Sequence, residues 1–262
     1  NVYLGIQSSP SVHNINTSLD YPTIQGAIIA PETLDGHIIQ VDAGTYYEHV
    51  NVDKTVSLIG EDPVTTIIDG GGTGSVVSVT APGVEIRGFM IQNGGQGMAD
   101  CGIFIGNRAG NTISNNIIRK NYNGLWLSAS NSNKIVDNII IDNYAFGIKF
   151  SDSNNNQIIG NTIAYNPTGV NIMGFTLPST FYHNNFLNNT NQVFSVPGNY
   201  WDNGTEGNYW SDYMGVDTDG DGVGETELWH LGLDQYPLII PTKPFPVIWD
   251  GTIYPVAVFS NS

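Results

Sequence analysis

The sequence predicts an all-β fold, a right-handed parallel β-helix closed by a short N-terminal capping helix and a C-terminal cap. Three observations in register carry that expectation. The frame I-x-x-N-x-I begins at Ile113, Ile135, Ile158 and, with Phe for Ile, Phe181, at spacings of 22, 23 and 23 residues. A column of Asn121, Asn143, Asn166 and Asn189 follows it. The third column is a glycine before an apolar-x-apolar run: Gly102-Ile103-Phe104-Ile105, Gly124-Leu125-Trp126-Leu127, Gly147-Ile148-Lys149-Phe150 and Gly169-Val170-Asn171-Ile172. A fixed period of this length marks a solenoid. Helical repeats are longer and rely on Ala, Leu and Glu, and the leucine frame of leucine-rich repeats is absent. Short β-branched runs with period-2 alternation, broken by Asn, Gly and Ser, read as strands. Each unit is therefore one coil, stacked at roughly 4.8 Å on the next, with the right-handed crossover that parallel strands adopt. Equivalent residues lie above one another, so Asn116, Asn138, Asn161 and Asn184 are placed to pass amide hydrogen bonds along the stack as a ladder.

In chain order, residues 1–20 read as a polar, aperiodic arm. The β-helix occupies 21–200. Its first element, a short amphipathic helix over 23–30, supplies the lid that an open strand edge requires. Strands follow through Val41, Val52, Ile59, Ile68, Val79 and Ile91. Ile86, Phe89 and Ile91 hold the places later taken by Ile113, Asn116 and Ile118, so the ladder starts after that coil. Residues 94–100 are a Gly-rich insertion that projects from the wall. The cap, 201–240, begins with aromatic blocks around Trp201 and Trp210 whose rings can seal the last coil. Residues 241–262 are a Pro-rich connector and a hairpin about Asp250-Gly251.

The coils, together with Asp42-Ala43-Gly44-Thr45-Tyr46-Tyr47-Glu48, Leu58-Ile59-Gly60-Glu61 and Ile67-Ile68-Asp69-Gly70, resemble pectin-lyase-like β-helix proteins. The likeness is above all to the NosD-type and CASH-domain (carbohydrate-binding and sugar-hydrolase) group of archaeal and bacterial surfaces. It covers about residues 20 to 240 and implies the fold more than an activity, because this fold carries lyases, hydrolases, epimerases, copper-delivery factors and plain surface modules.

A net charge of -16 with eight Lys and Arg in 262 residues argues against nucleic acid and anionic membrane surfaces as partners. No apolar run is long enough to span a bilayer. A lone Cys101 excludes an internal disulfide framework and reads as a small core filler. The chain opens on Asn1, as a processed or trimmed polypeptide does. Sequons at Asn16, Asn188 and Asn203 fit glycosylation of an exported chain. Together with the resemblance, they point to an extracellular or cell-surface location.

The stretch Asp217-Thr218-Asp219-Gly220-Asp221-Gly222-Val223-Gly224-Glu225 has the D-x-D-x-D-G core of a calcium loop. Alternating carboxylates converge inside a tight turn and the Val223 carbonyl adds a neutral oxygen, a hard donor set suited to a structural Ca2+. Leu228 stands where a bidentate Glu belongs, so Glu225, Glu227, Asp212 or Asp234 has to complete the shell. Strict alternation turns Phe104 and Trp126 outward, with Lys149 and Asn171 continuing the column, as a platform for a pyranose chain. The competing expectation is that the 94–100 loop covers both rings.

Polysaccharide lyases of the resembled fold use an Arg or Lys base beside acidic calcium ligands, and its hydrolases use paired Asp residues. The catalytic candidates here are thin: Arg119, Asp142 and Asp137. Asp100, Asp152 and Lys149 could line a groove beside the inserted loop. The five His and four Met are scattered, which disfavours a copper site. The expected function is a non-catalytic secreted or cell-surface module that binds an extracellular polysaccharide or acts as an assembly scaffold. A polysaccharide lyase, hydrolase or epimerase is the alternative, and NosD-type copper handling the third. Two outward stripes, Ile117-Ile139-Thr162 and Ile141-Ala164-Leu187, are too apolar for open solvent. They are expected to be covered by the C-terminal tail (247–259) or by self-association.

Overall fold

The computed structural model describes residues 11–174, 178–195, 197–226, 230–243, 247–249 and 252–254. Three parallel sheets wrap one core. The first contributes Ile38–Val41, Ser57–Gly60, Glu85–Arg87, Thr112–Ser114, Lys134–Val136, Gln157–Ile159 and Thr180–Tyr182. The second runs from Gly44–Tyr47 through Ile117–Arg119, Ile139–Ile141 and Thr162–Ala164 to Asn185–Leu187 and Tyr209–Trp210. The third runs from Val50–Val52 through Val77–Val79, Cys101–Gly106, Asn123–Ser128, Phe146–Ser151 and Thr168–Met173 to Asn191–Phe194. With one strand per turn, this 7-stranded third sheet marks seven turns. Alternation drives Ile, Leu, Val and Phe inward from all three sheets into a single continuous cluster.

Each corner between sheets is built the same way. A residue at positive φ turns the chain and an asparagine follows it: Asn115, Asp137 and His183 precede Asn116, Asn138 and Asn184, while Lys120, Asp142, Tyr165 and Asn188 precede Asn121, Asn143, Asn166 and Asn189. Asn and Asp suit the left-handed region because their short side chains bond locally. The following amide then satisfies backbone groups that the corner strips of sheet partners. In the first ladder Asn116 Nδ2 donates to Asn138 Oδ1 at 3.1 Å, Asn138 to Asn161 at 3.0 Å and Asn161 to Asn184 at 3.0 Å. Asn184 then donates to Asn208 at 2.9 Å, one coil beyond the expected end. The ladder also begins as expected, with Phe89 N donating to Asn116 Oδ1 at 3.1 Å. A third ladder, Asn111, Asn133 and Asn156, occupies the remaining corner, with amide contacts of 2.9 and 3.1 Å. Its signal, an N-x-I triplet ahead of each I-x-x-N frame, was present in the sequence.

The two ends are closed differently. The helix Ile24–Ile29, N-capped by Thr23, lies over the first coil. Its first N–H groups donate to the Glu48 carboxylate at 2.9 Å. Gln25 pairs with the backbone of Asn51 on the edge strand at 2.6 and 3.2 Å, which blocks addition of a further strand. At the other end Phe181 stacks on Trp201 at 4.3 Å and Phe186 on Trp210 at 4.2 Å. Beneath them the buried Asp234 accepts from Asn208 N at 2.7 Å, Trp210 Nε1 at 2.8 Å and Tyr236 N at 3.0 Å. Burial raises the Asp234 pKa above the usual carboxylate value, against these donors.

Two boundaries differ from the sequence reading. Residues Val12–Asn14 and Leu19–Tyr21 are not part of a formless arm. They pair antiparallel with each other, and Val12–Asn14 pairs with Ile38–Val41, extending the first sheet. Such short antiparallel strands carry no repeat signal. The β-helix also continues past residue 200, since Tyr209–Trp210 pairs with Asn185–Leu187 and Asn208 is a ladder rung.

The outward stripe of the second sheet is buried: Ile141, Ala164 and Leu187 form a cluster 0–4% exposed, with Ile139 and Tyr209 packed against it. The returning chain is tied across this sheet. Thr242 N donates to Asn185 Oδ1 at 3.0 Å, Thr242 Oγ1 donates to the His183 carbonyl at 2.7 Å, and Lys243 pairs with Asp137. The strands Val247–Trp249 and Thr252–Tyr254 form the expected hairpin. Its turn at 250–251 and the rest of the expected cover to 259 fall outside the described residues.

Candidate functional site

The outer face of the third sheet aligns the four residues expected of a sugar platform. Phe104, Trp126, Lys149 and Asn171 are cross-strand neighbours in successive coils, with Ser78 before them and Phe194 after. Phe104 and Trp126 are half-buried and meet edge to face at 5.4 Å between centroids. The Phe104 ring lies along its own strand over Gly106, where a Cβ would come within 2.6 Å of the ring. Lys149 Nζ sits 3.9 Å from the centre of the Trp126 ring and 5.9 Å from that of Phe146, a cation–π arrangement. Burial lowers the Lys149 pKa. Trp126 Nε1 donates to Ser151 Oγ at 3.2 Å, which sets the indole plane. Asn171 is 7% exposed, and its side-chain carbonyl oxygen is buried without a hydrogen-bond partner.

The seven strands of this sheet hold no Asp or Glu, although the chain has 24, and Lys149 is their only cation. Phe146 is a neighbour that the column reading missed, because it lies before the glycine rather than after it. The inserted loop is tied to the coils before and after it. Gly95 N donates to the Gly74 carbonyl at 2.7 Å, and Asn123 Nδ2 donates to the Met98 and Asp100 carbonyls at 3.1 and 2.9 Å. Asp100 accepts from Gly97 N at 2.9 Å, within its own loop, and Asp152 is exposed at a corner.

In the acidic loop, carboxylate oxygens of Asp217, Asp219, Asp221 and Glu225 all lie within 4.8 Å of one another. Oxygens bound to opposite sides of one Ca2+ at roughly 2.4 Å are about that far apart, so the donor set fits the ion. Gly220 and Gly222, both at positive φ, let the chain curl so that their N–H groups donate to Asp217 at 2.6 and 2.9 Å. These backbone donors, Gly222 first, hold the Asp217 pKa below the usual range, and Thr218 does the same for Glu225. The loop is fastened to the cap through Val223, whose neighbour Gly224 N donates to the Pro237 carbonyl at 2.9 Å. Of the residues offered to complete the shell, Glu225 is in the cluster. Asp234 is committed to the cap core, Asp212 accepts from Gln192 at 3.1 Å, and Glu227 lies outside the described residues.

The catalytic candidates lie on the second sheet, with Arg119 opposite Ile141 in the next coil, one residue before Asp142. Asp137 and Asp142 stand at opposite ends of the strand Ile139–Ile141, Asp137 is paired with Lys243, and Arg119 is only 6% exposed. The described residues do not gather a soft donor set for copper. His13 is held by Asp20 and Asp42, His49 by Ser75 and Thr73, His183 by Glu206 and His230 by Asp212, each at a different place on the solenoid. Cys101 is buried with its pKa raised to about 12, so it offers no thiolate. Among the described residues the acidic loop is the only cluster of three or more His, Cys, Asp or Glu placed to hold a metal.

Residues 41–215 match a family model described as periplasmic copper-binding protein (NosD). A cell surface glycoprotein of Methanothermus fervidus is 36% identical over 123 residues, which is 47% of this chain and 20% of that protein. A probable ABC transporter binding protein NosD of Pseudomonas aeruginosa is 32% identical over 120 residues, 42% of this chain and 28% of that protein. The alignments thus span less than a third of either relative. Among solved structures, a pectin methylesterase from Yersinia enterocolitica superposes with a TM-score of 0.51 at 14% identity, covering 72% of this chain and 78% of that one. At that identity the likeness is one of fold. No helix of the described residues is long and apolar enough to cross a membrane.

Proposed function

The chain belongs to the NosD family, and we propose that it is an extracellular or cell-surface β-helix module that binds a polysaccharide on the outer face of its third sheet without cleaving it. The observation that carries this reading is the Phe104-Trp126-Lys149 column on a wall free of carboxylates. The partly exposed rings offer apolar surface to the CH face of a sugar, while the Lys149 cation beside them takes its polar groups. The surface location is supported by the cell surface glycoprotein among the relatives. The burial of Arg119 and the pairing of Asp137 with Lys243 favour binding over turnover.

Titration with soluble oligosaccharides, followed by Trp fluorescence, tests it. Of the five Trp, Trp201 and Trp210 are sealed in the core, and only that part of a sugar-dependent signal that disappears in Trp126→Ala reports the platform. Lys149→Ala is expected to weaken binding about tenfold, with only a small fall in the melting midpoint from the lost cation–π contact. If no saccharide perturbs the signal and Trp126→Ala lowers stability instead, the rings are structural.

We further propose that Asp217, Asp219, Asp221 and Glu225, with the Val223 carbonyl, hold one Ca2+ that stiffens the cap. Because an ion bound only to the folded protein stabilises it by mass action, calcium at a hundredfold its Kd contributes about 2.7 kcal/mol. Excess chelator should lower the melting midpoint, and Asp219→Asn should remove most of that difference. A midpoint indifferent to chelator rules the ion out.

A further inference from the structure

We infer that the turn at Asn203 is an acceptor for N-linked glycan in the folded protein, and that the other two sequons, Asn16 and Asn188, are not. The three share a motif but sit in different mechanical settings. A transferase must draw the sequon into an extended groove, so what matters is what has to be broken for the segment to leave the surface. At Asn188 the middle residue is Asn189, a ladder rung 8% exposed whose amide donates to the Ile163 carbonyl at 2.9 Å. Its third residue, Thr190, donates its N–H to the Asn166 carbonyl at 3.2 Å. Presenting that sequon means dismantling a corner. At Asn16 the side-chain oxygen accepts from Ile38 N at 2.8 Å, so it is part of the first sheet.

Among the described contacts Asn203 itself is bound only within its own turn, which is tied to the first sheet through Glu206 and His183. Its Oδ1 accepts from Thr205 N at 3.0 Å, Thr205 Oγ1 at 2.9 Å and Glu206 N at 2.9 Å, and its N–H donates to the Glu206 carbonyl at 3.0 Å. The turn is carried outward on a rigid base. Trp201 before it is sealed in the core, and Asn208 after it is a ladder rung that donates to the Trp201 carbonyl at 2.7 Å. All residues from Asn203 to Glu206 are exposed, and nothing lies within 4 Å of where a Cβ on Gly204 would project. The hydroxyl that the motif requires is already on the carboxamide. The Nδ2 of Asn203, the atom that has to react, has no partner among the described contacts.

The co-substrate class is a lipid-linked, phosphate-activated oligosaccharide. Asn203 Nδ2 attacks the anomeric carbon and an N–C bond forms. The bond from that carbon to the phosphate oxygen breaks, its electron pair leaves with the lipid phosphate, and the amide nitrogen gives up one proton. This inference is independent of sugar binding on the third sheet.

The test is to incubate the folded protein with a single-subunit oligosaccharyltransferase and its lipid-linked oligosaccharide, then map occupancy by intact mass and peptide mass spectrometry. One glycan at Asn203 is expected, abolished by Thr205→Ala. Heat-unfolded protein should gain occupancy at Asn16 and Asn188, which shows that the fold makes the selection. Asn203 left bare in the folded protein, or Asn188 modified ahead of it, overturns the inference.

Discussion

Gly147→Ala is expected to destabilise the solenoid by about 3 kcal/mol, at the upper end of overpacking penalties. A Cβ at that position would stand 2.6 Å from the Gly169 carbonyl oxygen of the next coil, 3.0 Å from Asn166 Nδ2 and 3.0 Å from Ile163 Cγ2. The first contact is with backbone, so no rotamer change can relieve it. Gly102, Gly124 and Gly169 meet the same obstacle, with carbonyl oxygens at 2.7, 2.5 and 2.6 Å. These glycines mark where the wall approaches the next coil too closely for any side chain. Denaturant midpoints for Gly147→Ala and, as a comparison, the outward Thr168→Ala measure the effect. Equal midpoints would show that the coils part easily there.

Asn161→Ala should cost a comparable amount, about 3 kcal/mol. Its Oδ1 accepts from Asn138 N at 2.9 Å and Asn138 Nδ2 at 3.0 Å, and its own Nδ2 donates to the Ile135 carbonyl at 2.7 Å. Truncation leaves the Asn138 N–H buried with no partner and cannot be repaired by water at a site 0% exposed. The exposed Asn191 is the control. Asn131, which reads as a surface amide in the sequence, accepts from Asn154 N at 2.8 Å and is a poorer one. Each coil leans only on its neighbours, so hydrogen exchange in Asn161→Ala should rise first in the coils around residues 138 and 184. Loss of protection that is uniform along the chain would contradict a ladder that acts locally.

Where the chain repeats, its structure was legible. Coil boundaries, the first ladder, the Asn column that forms the second, the glycine column and the direction of Phe104 and Trp126 follow from period and alternation, because stacked coils place equivalent residues in equivalent surroundings. Thr23 and the apolar spacing after it located the helix, and the D-x-D-x-D-G spacing located the convergent carboxylates. What escaped was non-repeating and long-range. Val12–Asn14 joins the first sheet by antiparallel pairing, Lys243 reaches Asp137 across 106 positions, and Asp234 closes under Trp210 from 24 positions away. None of these leaves a periodic trace. The candidate site shows the same division. The column could be read from alternation, whereas the engagement of Asp137 depends on Lys243, in a segment that returns from beyond the cap.

The ladders also have a direction. Each carboxamide turns its oxygen toward the coil before it and an Nδ2–H toward the coil after it, from Asn116 to Asn208 and again from Asn121 to Asn189. The amide dipoles therefore add along the axis as peptide dipoles do in an α-helix, with the positive pole at the C-terminal end. Both columns stop on acid there. Asn208 Nδ2 donates to Asp234 Oδ2 at 3.3 Å, and Asn189 passes through Gln192 to Asp212. Each carboxamide column is thus directional, and a carboxylate stands at the end toward which its Nδ2–H groups point.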